Sequence, residues 1–297
     1  MPDTVLADHT MAICEVSPLD PPEALLAARY RGATVAATPA WNTVLSTMLA
    51  HRSVRSYTTE KLPEGTVETL VAAAQSAATS SNLQTWSVVA VTDPTRKAIL
   101  AEVAGGQKHI IQAPVLLVWL ADLNRLATVG AERGQPVEGL DYLETLFVGI
   151  IDAALAAQNA TVAAESLGLG SVYLGLGSVY IGALRNDPER VAATIGLPPH
   201  VMAVFGMCVG YADPAVVSGV KPRLEQSIVL HHETYGSGAS SPAVAAYDDA
   251  IQAFQREQRI AEVPWSKQAL SRVAGPKSLS GRDRIKGALE RLGFPMR

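Results

Sequence analysis

The chain has 297 residues, is 48% hydrophobic and 18% charged, and carries 24 basic against 28 acidic side chains for a formal net charge of −4. That composition excludes a disordered, collagen-like or coiled-coil chain and leaves one large domain or two smaller ones. The only cysteines, Cys14 and Cys208, have no motif spacing, so neither a disulfide framework nor a metal site is expected. No Lys or Arg precedes Arg29 and no uncharged apolar run reaches 18 residues, so a cytoplasmic protein without secretory signal or membrane span is expected.

Residues 1–40 are rich in Ala, Pro and Thr and are broken by Pro18, Pro21, Pro22 and Pro39. They read as an N-terminal extension holding at most one short helix, over 23–30. The main domain is expected over 41–297. It starts with a helix over 43–50 and a second helix opened by Pro63 at its first position, with Val67, Leu70, Val71 and Ala74 as its apolar stripe. A strand over 86–92 should end in a turn at Asp93-Pro94, and another strand lies at 115–120. Residues 141–167 form a long Ala-rich helix, apolar on nearly all faces and interrupted by Asp152, Gln158 and Asn159, so it must be buried in a core or against another subunit. A helix over 187–195 capped by Asn186 and a strand over 201–209 complete an α+β pattern. The segment 241–297 reads as helical and basic; residues 256–297 hold ten basic and four acidic side chains.

Residues 167–173 read LGLGSVY, and residues 174–180 repeat them. A shift of seven, an odd number, would turn equivalent side chains of one strand to opposite faces. One copy is therefore expected in the sheet and the other in a Gly-rich loop.

Two cationic groups suit a phosphate: His51-Arg52-Ser53-Val54-Arg55, and Lys221 with Arg223 across Pro222, whose i, i+2 spacing puts both on one side of an extended segment. The plain alternative for each is a solvated basic turn. The polar runs Thr79-Ser80-Ser81-Asn82-Leu83-Gln84 and Gly105-Gly106-Gln107-Lys108-His109 either line a pocket or are ordinary loops. Sharper motifs are missing. Tyr173 and Tyr180 stand where a dinucleotide fingerprint needs its third glycine, no Gly-x-Ser-x-Gly elbow surrounds Ser171 or Ser178, and His231 and His232 are adjacent rather than four apart. The basic C-terminus lacks the interleaved aromatics of a nucleic-acid module. Phosphate-binding cations without a nucleophile, triad or metal point to chemistry done by a cofactor.

In order and spacing, these motifs resemble the FMN-dependent, oxygen-insensitive nitroreductase and flavin reductase family, above all its NADPH-preferring major branch. The likeness runs over residues 48–247 and includes Gln158-Asn159, the AAESLGLG run at 163–170 and VYIGALRN at 179–186. It implies a nitroreductase-like α+β homodimer, with a mostly antiparallel central sheet flanked by helices and with exchanged terminal segments. It also implies one FMN in each of two shared pockets. By the same resemblance, Arg52, Ser53, Lys221 and Arg223 hold the phosphate, His51 closes that end, and Arg55 faces the N1 and O2 edge. Gln107 would reach the ribityl chain or ring edge; Thr79, Ser80 and Ser81 would touch the ring from the partner subunit; and backbone amides around Tyr180, Ile181, Gly182 and Ala183 would approach N5. No side chain is expected to react, because N5 of FMN carries the hydride.

NADPH or NADH would be the donor, with Arg256 and Arg259 as candidates for the adenosine 2′-phosphate, and a nitroaromatic, quinone or free flavin the acceptor, in ping-pong order. Tyr180 is followed by the family pattern, so the second heptad copy takes the site register. The alternative from a different class is a non-catalytic FMN-binding or storage protein. Neither nucleic acid nor membrane is expected as a partner.

Overall fold

The computed structural model describes residues 16–31, 35, 38–167, 176–216, 218–236 and 241–297. The chain divides into two compact units. The larger comprises His51–Val216 with Ala269–Arg297, and the smaller comprises the residues up to Ala50 together with those between 217 and Gln268.

In the larger unit, β1 (Trp86–Val91), β2 (Val115–Asp122), β3 (Leu176–Ile181) and β4 (Val201–Tyr211) form one sheet in the order β1-β2-β4-β3. Each pair is antiparallel. Successive side chains of a strand face opposite ways, and β2 is apolar at nearly every position because helices cover both faces. Val115, Leu117, Trp119 and Ala121 pack with the long helix Leu143–Ser166 and with Leu70 and Ala74, whereas Leu116, Val118 and Leu120 pack with Leu100, Ile110, Leu184 and Val191. The α+β architecture is thus the one expected.

The long helix meets the sheet through Ala153, Ala156, Ala157, Ala160 and Ala164, all fully buried. Small side chains let the helix axis approach closely. It is long and apolar enough by length and composition to cross a membrane, but this alanine face and the buried Asp152 make it a core helix. The C-terminal helix Ile285–Arg291 belongs to the same unit, where Leu289 and Phe294 enter the core of the long helix.

In the smaller unit, helices Pro22–Tyr30 and Thr43–Leu49 place Leu25, Ala28 and Leu49 in a cluster with Ala50 and Val220. Helix Ser241–Glu257 joins it with a bidentate ion pair from Arg31 to Glu257.

Three boundaries differ from expectation. Pro63 does not open a helix: it starts a turn closed by the Thr66 N–H on its carbonyl (3.2 Å), and the helix is Thr66–Gln75 behind left-handed Gly65. Asp93-Pro94 is the start of helix Pro94–Val103 rather than a free turn, because the Asp93 carboxylate accepts the Arg96 N–H at 2.8 Å. The cap of helix Pro188–Ile195 is Asp187, whose side chain accepts the Arg190 N–H at 3.1 Å, and not Asn186.

The second heptad copy enters the sheet as β3. The first copy beyond Leu167 lies outside the described residues. Gly177, in the second copy, is where a side chain is forbidden: a Cβ there would sit 2.3 Å from Cγ2 of Val54. Gly177→Ala should cost about 1–3 kcal/mol in chemical denaturation through overpacking. Gly139→Ala, with no atom within 4 Å of the added Cβ, should change stability by less than about 0.5 kcal/mol. Equal effects at the two positions would contradict this packing.

Candidate functional site

The first cationic run lies along the outer edge of β3. Ser53 bridges Ser178 in parallel register, and the Val54 N–H donates to the Ser178 carbonyl at 3.0 Å. Val54 turns inward over Gly177, while Arg55 is exposed. His51, at the head of the run, pairs Nδ1 with Glu165 Oε1 of the long helix at 2.5 Å.

On the same unit, the Tyr180 hydroxyl and Thr161 Oγ1 share a hydrogen bond of 2.8 Å, and Thr161 Oγ1 also lies 2.9 Å from the Ala157 carbonyl. Burial pushes the Tyr180 phenol up to about 12, the hydrogen bond with Thr161 opposes this, and the Glu165 carboxylate adds to it. Tyr180 is therefore neutral at physiological pH. Its ring meets Phe205 edge to face at 5.1 Å. Ile181 is buried, and Gly182 opens the short 3-10 turn Gly182–Asn186, which also holds Ala183. A Cβ at Gly182 would approach Arg185 Nη2 to 3.3 Å.

The loop with Thr79, Ser80 and Ser81 is built around a residue whose role the sequence reading missed. Asp152, 1% exposed, accepts the Ser80 N–H (3.1 Å), the Thr85 N–H (3.1 Å) and the Thr85 hydroxyl (3.0 Å). A lone acid on the buried face of an Ala-rich helix was the available signal, because such a carboxylate must find donors. Within this loop Ser81, Asn82 and Gln84 all adopt positive φ. Non-glycine residues held there mark a conformation imposed by the surroundings.

Gln107 begins helix Lys108–Gln112 and turns its amide back to donate to the Ala104 carbonyl at 2.9 Å. That leaves its side-chain oxygen as the group for a ligand. Nearby His109 has a buried Nε2 with no hydrogen-bond partner among the described residues.

Lys221, Arg223, Arg256 and Arg259 belong to the smaller unit. Lys221 and Arg223 are both exposed on either side of buried Pro222. They line a cavity of about 670 Å³ with Tyr30, Tyr247, Phe254 and Trp265 among its walls. Arg256 is held by Glu262 in a bidentate pair (3.2 and 2.9 Å), whereas Arg259 is exposed and makes no side-chain hydrogen bond among the described residues. Arg55 and Arg223 likewise have no ion pair among the described residues. Guanidiniums left without a carboxylate are suited to an anionic ligand such as a flavin phosphate.

Residues 48–211 match the model of the nitroreductase family, and residues 221–297 match that family's C-terminal domain. The chain belongs to the nitroreductase family. This nitroreductase-family chain is 39% identical over 235 residues to the FMN reductase (NADPH) of Bacillus subtilis (strain 168), covering 77% of this chain and 91% of that one. It is 37% identical over 204 residues to the oxygen-insensitive NADPH nitroreductase of Salmonella typhimurium, covering 69% and 79%. The solved structure of the NADPH:FMN oxidoreductase of Vibrio harveyi complexed with NAD+ has a TM-score of 0.75 at 34% identity, covering 86% of this chain and 100% of that one. The family match starts at residue 48, so the helix Pro22–Tyr30 precedes it.

Burial, and secondarily the Arg55 cation, hold the His109 imidazolium below its ordinary range. A depressed folded pKa gives stability that is fully present above the unfolded value of about 6.5 and is lost as pH falls. Between pH 7.5 and 5, wild type should lose more stability than His109→Gln; parallel pH profiles would contradict this assignment.

Proposed function

We propose that the protein is an FMN-dependent NAD(P)H oxidoreductase reducing nitroaromatic compounds, and also quinones or free flavin, by two-electron hydride transfer in ping-pong order. The observation that carries this reading is the bridge between Ser53 and Ser178, which pairs the 51–55 run with the edge of the strand that ends at Tyr180 and Ile181. Bound FMN supplies the hydride relay at N5.

The residues have distinct tasks. Arg52, Ser53, Lys221 and Arg223 hold the phosphate by charge-assisted hydrogen bonds, with His51 closing that end through its Glu165 pairing. Arg55 presents a cation that would favour negative charge at the N1 and O2 edge, an electrostatic contribution and not proton transfer. Gln107 offers its free side-chain oxygen to the ribityl chain or ring edge. Thr79, Ser80 and Ser81 contact the ring from the partner subunit. Amides around Tyr180, Ile181, Gly182 and Ala183 orient N5, and the missing side chain at Gly182 leaves space for approach.

A homodimer belongs to this reading. Leu143, Phe147, Ile151 and Leu155 recur every four residues along the long helix and are all exposed. A stripe of this kind is uncommon on a monomer, and a second copy of the same helix would cover it. Phe147→Glu should shift the protein from dimer to monomer in sedimentation; an unchanged dimer would place the interface elsewhere. A cytoplasmic location, with no nucleic-acid or membrane partner, goes with a soluble hydride donor; fractionation that finds the protein in membranes would contradict it.

Purified protein should be yellow. Its flavin band should bleach with NADPH under anaerobic conditions and return on adding a nitroarene, whereas colour that persists with NADPH would identify a binder or store without turnover. Arg259, the unpaired candidate for the 2′-phosphate, sets donor choice. Arg259→Ala should raise KM for NADPH about tenfold, the loss of roughly one charge-assisted contact, and leave KM for NADH unchanged. Equal effects on the two nucleotides would remove Arg259 from that role.

A further inference from the structure

Arg29 ends the helix Pro22–Tyr30, ahead of the family match, and is only 6% exposed. A guanidinium buried this deeply must direct its donors at protein acceptors. Nη1 donates to the Lys221 carbonyl and Nη2 to the Leu49 carbonyl, both at 2.8 Å. The Arg29 carbonyl in turn accepts the Arg223 N–H at 2.9 Å. One residue thus grips the backbone on both sides of Pro222. Its guanidinium also ties that segment to a carbonyl two positions before His51 in sequence. Pro222 fixes its own φ, and its carbonyl accepts the Tyr247 hydroxyl at 3.0 Å. Every polar group of the backbone between the two cations that these bonds reach is therefore held, while the Lys221 and Arg223 side chains remain exposed.

We infer that Arg29 is a positioning residue for the cofactor phosphate: it fixes the backbone that presents Lys221 and Arg223, which makes the helix Pro22–Tyr30 part of this chain's flavin-binding machinery. The inference rests on the reading above that Lys221 and Arg223 hold the phosphate. A flexible pair of cations loses affinity to the entropy of ordering itself around the ligand, and a backbone already held in place removes that cost. The effect is confined to ligands that carry the phosphate.

Apoprotein is titrated with FMN and with riboflavin, which lacks the phosphate, following quenching of flavin fluorescence. Lys221→Ala and Arg223→Ala should collapse the preference for FMN over riboflavin; if they leave it intact, the phosphate reading fails. Arg29→Gln should raise Kd for FMN about tenfold, by analogy with the loss of other supporting contacts, with riboflavin affinity within about twofold of wild type. Arg29→Lys keeps the charge and the stem but cannot bridge two carbonyls, so it should show the same selective loss if the glutamine variant fails to fold. Should the Lys221 and Arg223 variants collapse the preference while the position 29 variants leave it unchanged, or weaken both ligands equally, the inference is overturned.

Discussion

The Asp152 carboxylate is the interaction on which the arrangement of the larger unit's site depends. It sits 1% exposed on the buried face of the long helix, which is made mostly of small residues. An ionised carboxylate in such a place is costly unless donors converge on it. Three do, all from Ser80 and Thr85. Hydrogen bonds to a charged group contribute about 1.5–3 kcal/mol each, and positive φ at a non-glycine residue costs on the order of 1–3 kcal/mol. The loop has three such residues, Ser81, Asn82 and Gln84, so the two sets are of similar size and the bonds offset the strain. Gly149, one turn earlier on the helix, serves the same approach: a Cβ there would lie 3.2 Å from the Thr85 carbonyl oxygen.

The sheet gives the site its second fixed point. β3 is one edge of the sheet, and the 51–55 run pairs with it at Ser53 and Val54. Pairing there requires the absence of a side chain at Gly177, since Val54 fills that space. Glu165 and Thr161, one turn apart on the long helix, reach His51 and Tyr180. The helix that anchors the polar loop through Asp152 thus also holds His51 and Tyr180. In the smaller unit, Arg29 and Tyr247 give the Lys221–Arg223 segment a comparable backbone support.

Much of this was legible in the sequence because it depends on local patterns. β2 and β4 announced themselves as apolar, β-branched runs, and the Ala-rich stretch from Leu143 to Ser166 as a helix needing cover. Helix starts were less legible, since a turn and an N-cap use the same residues: Pro63 and Asp93-Pro94 satisfy either reading, and only the observed bonds to Thr66 and Arg96 separate them. The supports were hidden for a different reason. Arg29 lies 192 positions from Lys221, and Asp152 lies 72 from Ser80. No spacing rule covers partners brought together by the folded chain, although an acid on the buried face of an Ala-rich helix and a single arginine in an apolar one are both signals that a distant partner exists.

The central claim is that a buried carboxylate holds the 79–85 loop in the form that receives the flavin ring. It is tested most directly by amide hydrogen exchange and FMN titration on wild type and Asp152→Ala. The account predicts that exchange at Ser80 and Thr85 becomes fast and FMN affinity falls about tenfold or more, while β2 and β4 amides keep their protection. Unchanged exchange in the loop together with unchanged FMN affinity would contradict it.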